Sequence, residues 1–352
     1  MQTILIAGGA GFIGSNLCES LLPEFKVICV DNLITGEKKN IEELLKNPNF
    51  KFLEMDITRP REGTDNEFLN INYIFHLASP ASPNKKSKRS YVNFPIETLL
   101  VNSIGTYNLL ELAKERNAKF LYASSSEIYG DPAISPQNEE YFGNVNPNGI
   151  RSVYDEGKRF GEAITMAYYR KYNLDTRIVR IFNTYGPKMR ADDGRVISNF
   201  INQALSNQPI TVYGDGSQTR SCCYVDDMVD GLKRAMFAEK AKGEVINIGN
   251  QDLYCRGAAY GKFVVIKHSN NLTTLYGHMS GFAVSLGSKV ERGQTIGYIG
   301  RTGWATGPHL HFTVFSSQTL SPARPGFPEG AIASRVCGPM PVGGDLDPTK
   351  YL

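Results

Sequence analysis

Tyr154 and Lys158 stand four residues apart in RSVYDEGKR, residues 151–159. On a helix that spacing puts both side chains on one face. There an ammonium can lower the pKa of a phenol and make it a base near neutral pH. Ser125, at the end of the apolar run KFLYASS, can hydrogen-bond the same substrate hydroxyl. Far upstream, Gly9, Gly11 and Gly14 form a G-x-G-x-x-G pattern between an apolar run and a helix-like segment. Glycines at those places allow a tight turn, backbone approach to a pyrophosphate and close helix packing. The helix that follows offers its first N–H groups to the phosphates. Asp31 comes about 20 residues on, where it can accept from both ribose hydroxyls and repel a 2′-phosphate; NAD is therefore expected rather than NADP. Near the other end, TGPHLHF (306–312) sets His309 and His311 two apart. In a strand both then face one side, a spacing that suits a metal.

Elements must carry these groups. Apolar, β-branched runs alternate with helix-like segments over residues 1–250: TILIAG (3–8), KVICVDN (26–32), KFLEMD (51–56), YIFHLAS (73–79), KFLYASSS (119–126), TRIVRIFN (176–183) and EVINIG (244–249). Runs apolar on both faces and separated by helices predict an α/β fold, a Rossmann-like doubly wound parallel sheet. SPASPNKKSKRS (79–90) reads as a polar, basic, solvated loop. Helical periodicity fades after Asn250, and FVVIKH, TTLYGHM, TIGYIG and HLHFTV alternate with glycine turns. A small antiparallel β-domain is expected over 251–352, with an irregular tail from about Ser316.

Bulk properties narrow the function classes. The 352 residues suffice for two domains, and 41% hydrophobic with 21% charged residues is ordinary for a globular protein. A net charge of +3 is too small to imply nucleic acid or a membrane surface as partner. No apolar run is long enough to span a bilayer. MQTILIAGG lacks a charged leader and cleavage site, so a cytoplasmic location is expected. The six cysteines show no C-x-x-C spacing and read as small apolar residues in a reducing compartment.

Residues 1–250 resemble the extended short-chain dehydrogenase/reductases that modify nucleotide sugars, most closely the UDP-glucuronate decarboxylase type. The resemblance rests on GGAGFIGSNL (8–17), DNLITGEKKN (31–40), HLASPASP (76–83), ASSSEIYGDP (123–132), RSVYDEGKR (151–159), RIFNTYGPKM (180–189), DGRVISNF (193–200) and GDGSQTRSCCYVDDMVDG (214–231). It implies NAD held by Gly8, Gly11, Phe12, Ile13, Gly14, Asp31, Asn32, Thr35, Gly36, Asp56 and Ile57. It implies catalysis by Ser125, Glu127, Tyr154 and Lys158, with Tyr154 taking the proton of the sugar 4-hydroxyl and Glu127 positioning or protonating the sugar. Asn183, Arg195 and Arg220 would hold the nucleotide diphosphate and sugar, guanidinium forks suiting phosphate and carboxylate oxygens. The related 4,6-dehydratases carry an acid where this chain has Ser126, and epimerases usually lack the glutamate found at 127. Decarboxylation of UDP-glucuronate through a 4-keto intermediate therefore ranks above 4-epimerisation and 4,6-dehydration. The expected partners are a UDP-sugar and a second copy of the chain in a homodimer. The resemblance also implies that the segments completing the substrate domain after INIGN are missing.

Residues 260–315 resemble the lysostaphin-like zinc endopeptidases, through YGKFVVIKHSNNLTTLYGHMS (260–280) and VERGQTIGYIGRTGWATGPHLHFTV (290–314), with DPTKYL (347–352) as a further likeness. The resemblance assigns His311 to zinc, and His278 with His309 to the catalytic water or the oxyanion. Its other two ligands come from an upstream His-x-x-x-Asp. His76 and His268 are the only remaining histidines and neither has an Asp four residues later. A catalytic zinc needs three protein ligands, so the expectation is a vestigial site without zinc, in a fragment joined to an enzyme of a different compartment. His268 reads as a strand-end surface residue.

Overall fold

In the computed structural model the chain divides into two compact units, Met1–Gly249 and Asn250–Leu352. The structure describes residues 1–61, 65–134, 136–211 and 222–249 of the first unit. In the second it describes 262–268, 272–285, 288–291, 293–300, 310–316 and 345–346.

Seven parallel strands form the first unit's main sheet: β1 (Thr3–Ala7), β2 (Lys26–Asp31), β3 (Phe50–Glu54), β4 (Ile71–His76), β5 (Lys119–Ser125), β6 (Thr176–Ile181) and β9 (Val245–Ile248). Their spatial order is β3-β2-β1-β4-β5-β6-β9, with two short strands, β7 (Asn183–Tyr185) and β8 (Cys222–Tyr224), paired in parallel beside it. All seven apolar runs became strands, and the expected doubly wound α/β sheet is present. Separation of Asn183 into its own strand was not foreseen.

The pleat explains why both faces are apolar. Ile4, Ile6, Val27 and Cys29 point to one side, into a core shared with α1 (Phe12–Leu21) and α6 (Val225–Phe237). Leu5, Ala7, Ile28 and Val30 point to the other, with Leu109, Leu112 and Tyr168 from α3 (Thr106–Arg116) and α4 (Ser152–Tyr172). Adjacent residues on a strand alternate faces, so a strand covered by helices on both sides must be apolar throughout. α2 (Pro95–Leu100) begins with proline at its first turn and runs through a π-helical turn, Val101–Gly105, into α3. α5 (Val196–Leu205) follows the loop after β7.

The chain leaves β1 for a strand on one side and returns to β4 on the other, so the crevice at the carboxyl ends of β1 and β4 is the topological switch point where such sheets bind ligands.

In the second unit, β10 (Val264–Lys267), β11 (Leu272–Gly277), β14 (His311–Ser316) and β15 (Asp345–Leu346) form an antiparallel sheet. β12 (Met279–Phe282) and β13 (Gly297–Ile299) form a second antiparallel pair. The expected antiparallel texture is observed. The tail was read as irregular, yet it returns one short strand, because β14 still has a free edge for β15 to pair with. Among the described residues no helix is long and apolar enough to cross a membrane.

Candidate active site

The glycine loop is shaped by what a side chain would strike. Gly8 has φ +82°, and a Cβ there would lie 2.6 Å from the backbone nitrogen of Ala78 on the loop after β4. Gly11 is the N-cap of α1, and neither a capping side chain nor an acidic residue occupies that helix's first turn. Phe12 and Ile13 begin the helix and pack on the first core. A Cβ on Gly14 would come within 2.8 Å of Gly9 Cα, so α1 can approach the loop only because residue 14 is glycine. A cradle of free first-turn N–H groups, lined by backbone, fits a pyrophosphate.

Asp31 ends β2 beside this cradle. Its carboxylate accepts from the backbone N–H of Ala10 at 3.0 Å and of Leu33 at 2.8 Å. Burial pushes its pKa up and these two N–H groups pull it back. Each oxygen keeps a second lone pair for a ribose hydroxyl. Gly36 packs on the same carboxylate: a Cβ there would sit 2.8 Å from Asp31 Oδ1. Asn32 is exposed, and its side chain accepts from Ile34 N–H at 3.2 Å. The carbonyls of Thr35 and Gly36 accept from Arg89 at 3.2 and 3.4 Å. Asp56 follows β3, where Met55 N–H donates to the Asp31 carbonyl, and its own carboxylate accepts from the Thr58 N–H and hydroxyl. Ile57 is buried against Gly105, where a Cβ would lie 3.0 Å away. The structure thus brings the glycine loop, Asp31 and Gly36 together, while Asp56 and Ile57 follow the neighbouring β3.

The catalytic candidates gather at the end of β5. Ser125 is buried and caps the turn that carries Glu127, accepting from Glu127 N–H at 3.3 Å. Tyr154 and Lys158 share one face of α4, and both are buried. Lys158 donates to the Ala123 carbonyl at 2.8 Å and lies 5.7 Å from the centre of the Tyr154 ring. Here one expectation is corrected. Burial is the largest influence on Tyr154 and pushes its pKa up; the Ser125 hydrogen bond and the Arg195 charge pull it down without overcoming this. Lys158 does not carry the lowering that the spacing implied. Its ammonium is aimed at a carbonyl of β5, and burial brings its own pKa to about 7. Desolvation disfavours the charged form of both groups.

Arg195, at the N-cap of α5, donates to the Ala81 carbonyl at 2.9 Å and to Asp193 at 3.1 Å. Asn183 pairs with Cys222 across β7 and β8. Arg220 lies outside the described residues.

Three neighbours were missed in the sequence. Tyr91 is buried and stacks on Tyr154, ring centres 5.0 Å apart and planes 14° off parallel. Arg151, one turn before Tyr154, ion-pairs with Glu127. Glu162 accepts from Ser124 at 2.6 Å and from Arg180 at 2.8 Å, fixing the strand next to Ser125. Only the Arg-x-x-Tyr spacing could have drawn attention to Arg151; Tyr91 arrives from a loop.

In the second unit the rings of His278 and His311 meet edge to face, centres 5.6 Å apart. His309 lies outside the described residues. His268 is exposed at the end of β10, with a ring nitrogen 2.8 Å from the Thr274 hydroxyl, in keeping with a strand-end surface residue. Among the described residues no three His, Cys, Asp or Glu side chains gather to hold a metal.

Residues 4–249 match the profile of the NAD dependent epimerase/dehydratase family. The chain belongs to that family. Residues 238–322 also match peptidase family M23. The overlapping stretch folds with the first unit, since β9 pairs in parallel with β6 there. This epimerase/dehydratase family member is 49% identical over 249 residues to UDP-glucuronic acid decarboxylase 6 of Arabidopsis thaliana, covering 70% of this chain and 69% of the relative. It is 47% identical to UDP-glucuronic acid decarboxylase 1 of Xenopus tropicalis, covering 71% of this chain and 56% of the relative. Among solved structures it resembles UDP-glucuronic acid 4-epimerase of Bacillus cereus in complex with UDP-glucuronic acid and NAD, at 31% identity and a TM-score of 0.60 over 70% of this chain and 77% of that one.

Proposed function

We propose that the first unit is an NAD-dependent UDP-glucuronate decarboxylase. The observation that carries this reading is the pairing of Tyr154 and Ser125 with Glu127 on a strand-end Ser-Ser-Glu, in a stretch of 249 residues that is 49% identical to a UDP-glucuronic acid decarboxylase. NAD, which the glycine loop and Asp31 would hold, would supply the hydride acceptor and donor for C4 of the sugar.

The chain's own groups do the rest. As the phenolate, the form that the Ser125 hydrogen bond and the Arg195 charge favour, Tyr154 takes the proton of the 4-hydroxyl, with Ser125 hydrogen-bonded to the same oxygen. A ketone at C4 lies β to the C6 carboxylate, so it accepts the electrons released as carbon dioxide departs. Glu127, ion-paired with Arg151, is a carboxylate that positions the sugar, while the carbon that loses carbon dioxide takes its proton from water. Arg195, already beside Tyr154, meets the substrate's negative charge. Ser126 offers no acid for expelling a C6 hydroxyl, which disfavours dehydration. The Bacillus cereus neighbour keeps 4-epimerisation of UDP-glucuronate as the second reading. Incubation with UDP-glucuronate and NAD separates the two. Carbon dioxide and UDP-xylose are expected; UDP-galacturonate without carbon dioxide would establish the epimerase instead. Because of Asp31, the same preparation should bind NAD in preference to NADP, and equal affinity would refute the cofactor assignment.

Two further features belong to this reading. Ile96, Leu100, Ile104 and Tyr107 recur along the continuous α2–α3 helix and are 37–61% exposed, with Phe160 of the neighbouring α4 49% exposed. That spacing makes one apolar stripe, and we assign it to a homodimer, in which the stripe meets its copy. Sedimentation of the purified chain as a monomer at micromolar concentration would disprove the assignment. The second unit is proposed to hold no catalytic zinc, because the chain has five histidines and none begins a His-x-x-x-Asp. Two missing ligands remove most of the roughly 10–16 kcal/mol of a complete structural zinc site. After dialysis against low zinc, less than one metal per chain is expected; a retained zinc with chelator-sensitive cleavage of a glycine-rich peptidoglycan peptide would reverse this.

A further inference from the structure

Three loops of the first unit meet on a single carboxylate. Glu37, on the loop after β2, has a side chain only 16% exposed. Its Oε1 accepts from Arg190 at 2.6 Å and from Arg89 at 3.0 Å, and its Oε2 accepts from Lys39 at 2.9 Å. Arg89 comes from the 79–90 loop, where only solvated charges were expected. Lys85, Lys86 and Lys88 fit that description; Arg89 does not. Arg190 comes from the loop before α5, and its remaining edge forks onto Asp192 at 2.8 and 2.9 Å. Asp192 in turn accepts from Ser87 at 2.9 Å, and the Asp193 carbonyl accepts from Ser82 at 2.6 Å.

The other side of this cluster is the cofactor cradle. Glu37 N–H and the Asn40 side chain both donate to the Ala10 carbonyl, at 3.1 and 3.0 Å. Gly36 packs on Asp31, and Arg89 holds the carbonyls of Thr35 and Gly36. Thr35–Glu37 is therefore wedged between the two arginines and the groups that would hold the adenosine ribose. Burial alone would raise the Glu37 pKa; Lys39, Arg190 and Arg89 outweigh it and keep the carboxylate ionised. Exposed ion pairs contribute little singly, but this carboxylate is largely buried and shared by several cations. Without it, Arg190 keeps Asp192 but neither guanidinium holds the Thr35–Glu37 loop by charge.

We propose that Glu37, gripped by Arg89 and Arg190, is a positioning residue that clasps Thr35–Glu37 over the dinucleotide cradle and slows the release of NAD. This rests on the cofactor reading above. The test measures NAD dissociation from the full chain by rapid displacement, alongside thermal unfolding without NAD. Glu37→Gln keeps the shape and removes the charge; it should release NAD about tenfold faster, the effect of one charge-assisted hydrogen bond, while the unfolding temperature of the NAD-free chain barely moves. Arg89→Gln should act in the same direction more weakly, since Arg190 remains, and keeps the test decisive if Glu37→Gln folds poorly. Release within about twofold of the parent in both variants would overturn the clasp alone. A parent chain that takes up no NAD would overturn the cofactor reading and the clasp with it.

Discussion

Tyr154→Phe is expected to lower turnover of UDP-glucuronate by about 10²–10⁴-fold, the usual contribution of a positioned general base, while leaving NAD bound. The substitution removes one oxygen and keeps the ring. That matters because the ring is buried and stacked on Tyr91 at 5.0 Å. Packing and cofactor cradle should therefore survive, and the loss should appear in kcat rather than in NAD affinity. The phenol oxygen is hydrogen-bonded to Ser125, so its loss should lower the unfolding temperature slightly. Measurement of kcat, KM and NAD content on one preparation decides the matter. Turnover within about tenfold of the parent would remove Tyr154 from its role as base.

Gly14→Ala is expected to be the most damaging single methyl in the cofactor cradle. The added carbon would lie 2.8 Å from Gly9 Cα and closer still to the Gly8 carbonyl oxygen, all of it backbone. A side chain could turn away, whereas a loop pinned by Gly8 N–H to the Val30 carbonyl at 2.8 Å cannot without losing that bond. Overpacking of this kind costs roughly 1–3 kcal/mol. It falls where α1 must present its first N–H groups to a pyrophosphate. NAD affinity should drop by about tenfold or more, with a lower unfolding temperature. Gly149→Ala is the matched control: its Cβ would meet nothing nearer than 3.4 Å, and both properties should stay at parental values. An NAD dissociation constant unchanged in Gly14→Ala would show that the glycine is not needed for cofactor approach.

Much of this was legible before any coordinates. Strands buried on both faces must be apolar at every position, so seven runs identified seven parallel strands. The cofactor cradle was legible for a similar reason: a glycine at a backbone contact and an acid at a strand end are local requirements written over about 20 residues. Tyr154 and Lys158 were legible as partners on one helix face, because 3.6 residues per turn sets their neighbourhood without reference to the rest of the chain.

Only the tertiary structure decided what each group experiences. The charge of Lys158 was expected to act on Tyr154, but desolvation depends on everything packed around the pair, and it raises one pKa and lowers the other. Tyr91 reaches Tyr154 from 63 positions away, and Glu37 reaches Arg190 from 153 positions away. No periodicity records such meetings, since they are set by where loops land once the sheet has formed. The sequence by itself therefore determined the architecture, the glycine loop with its spaced acid, and the placing of Tyr154 and Lys158 on one helix face, because these follow from local backbone geometry and burial. The electrostatic state of Tyr154 and Lys158 and the meeting of three loops on Glu37 belong to the fold, because long-range contacts and the exclusion of water exist only there.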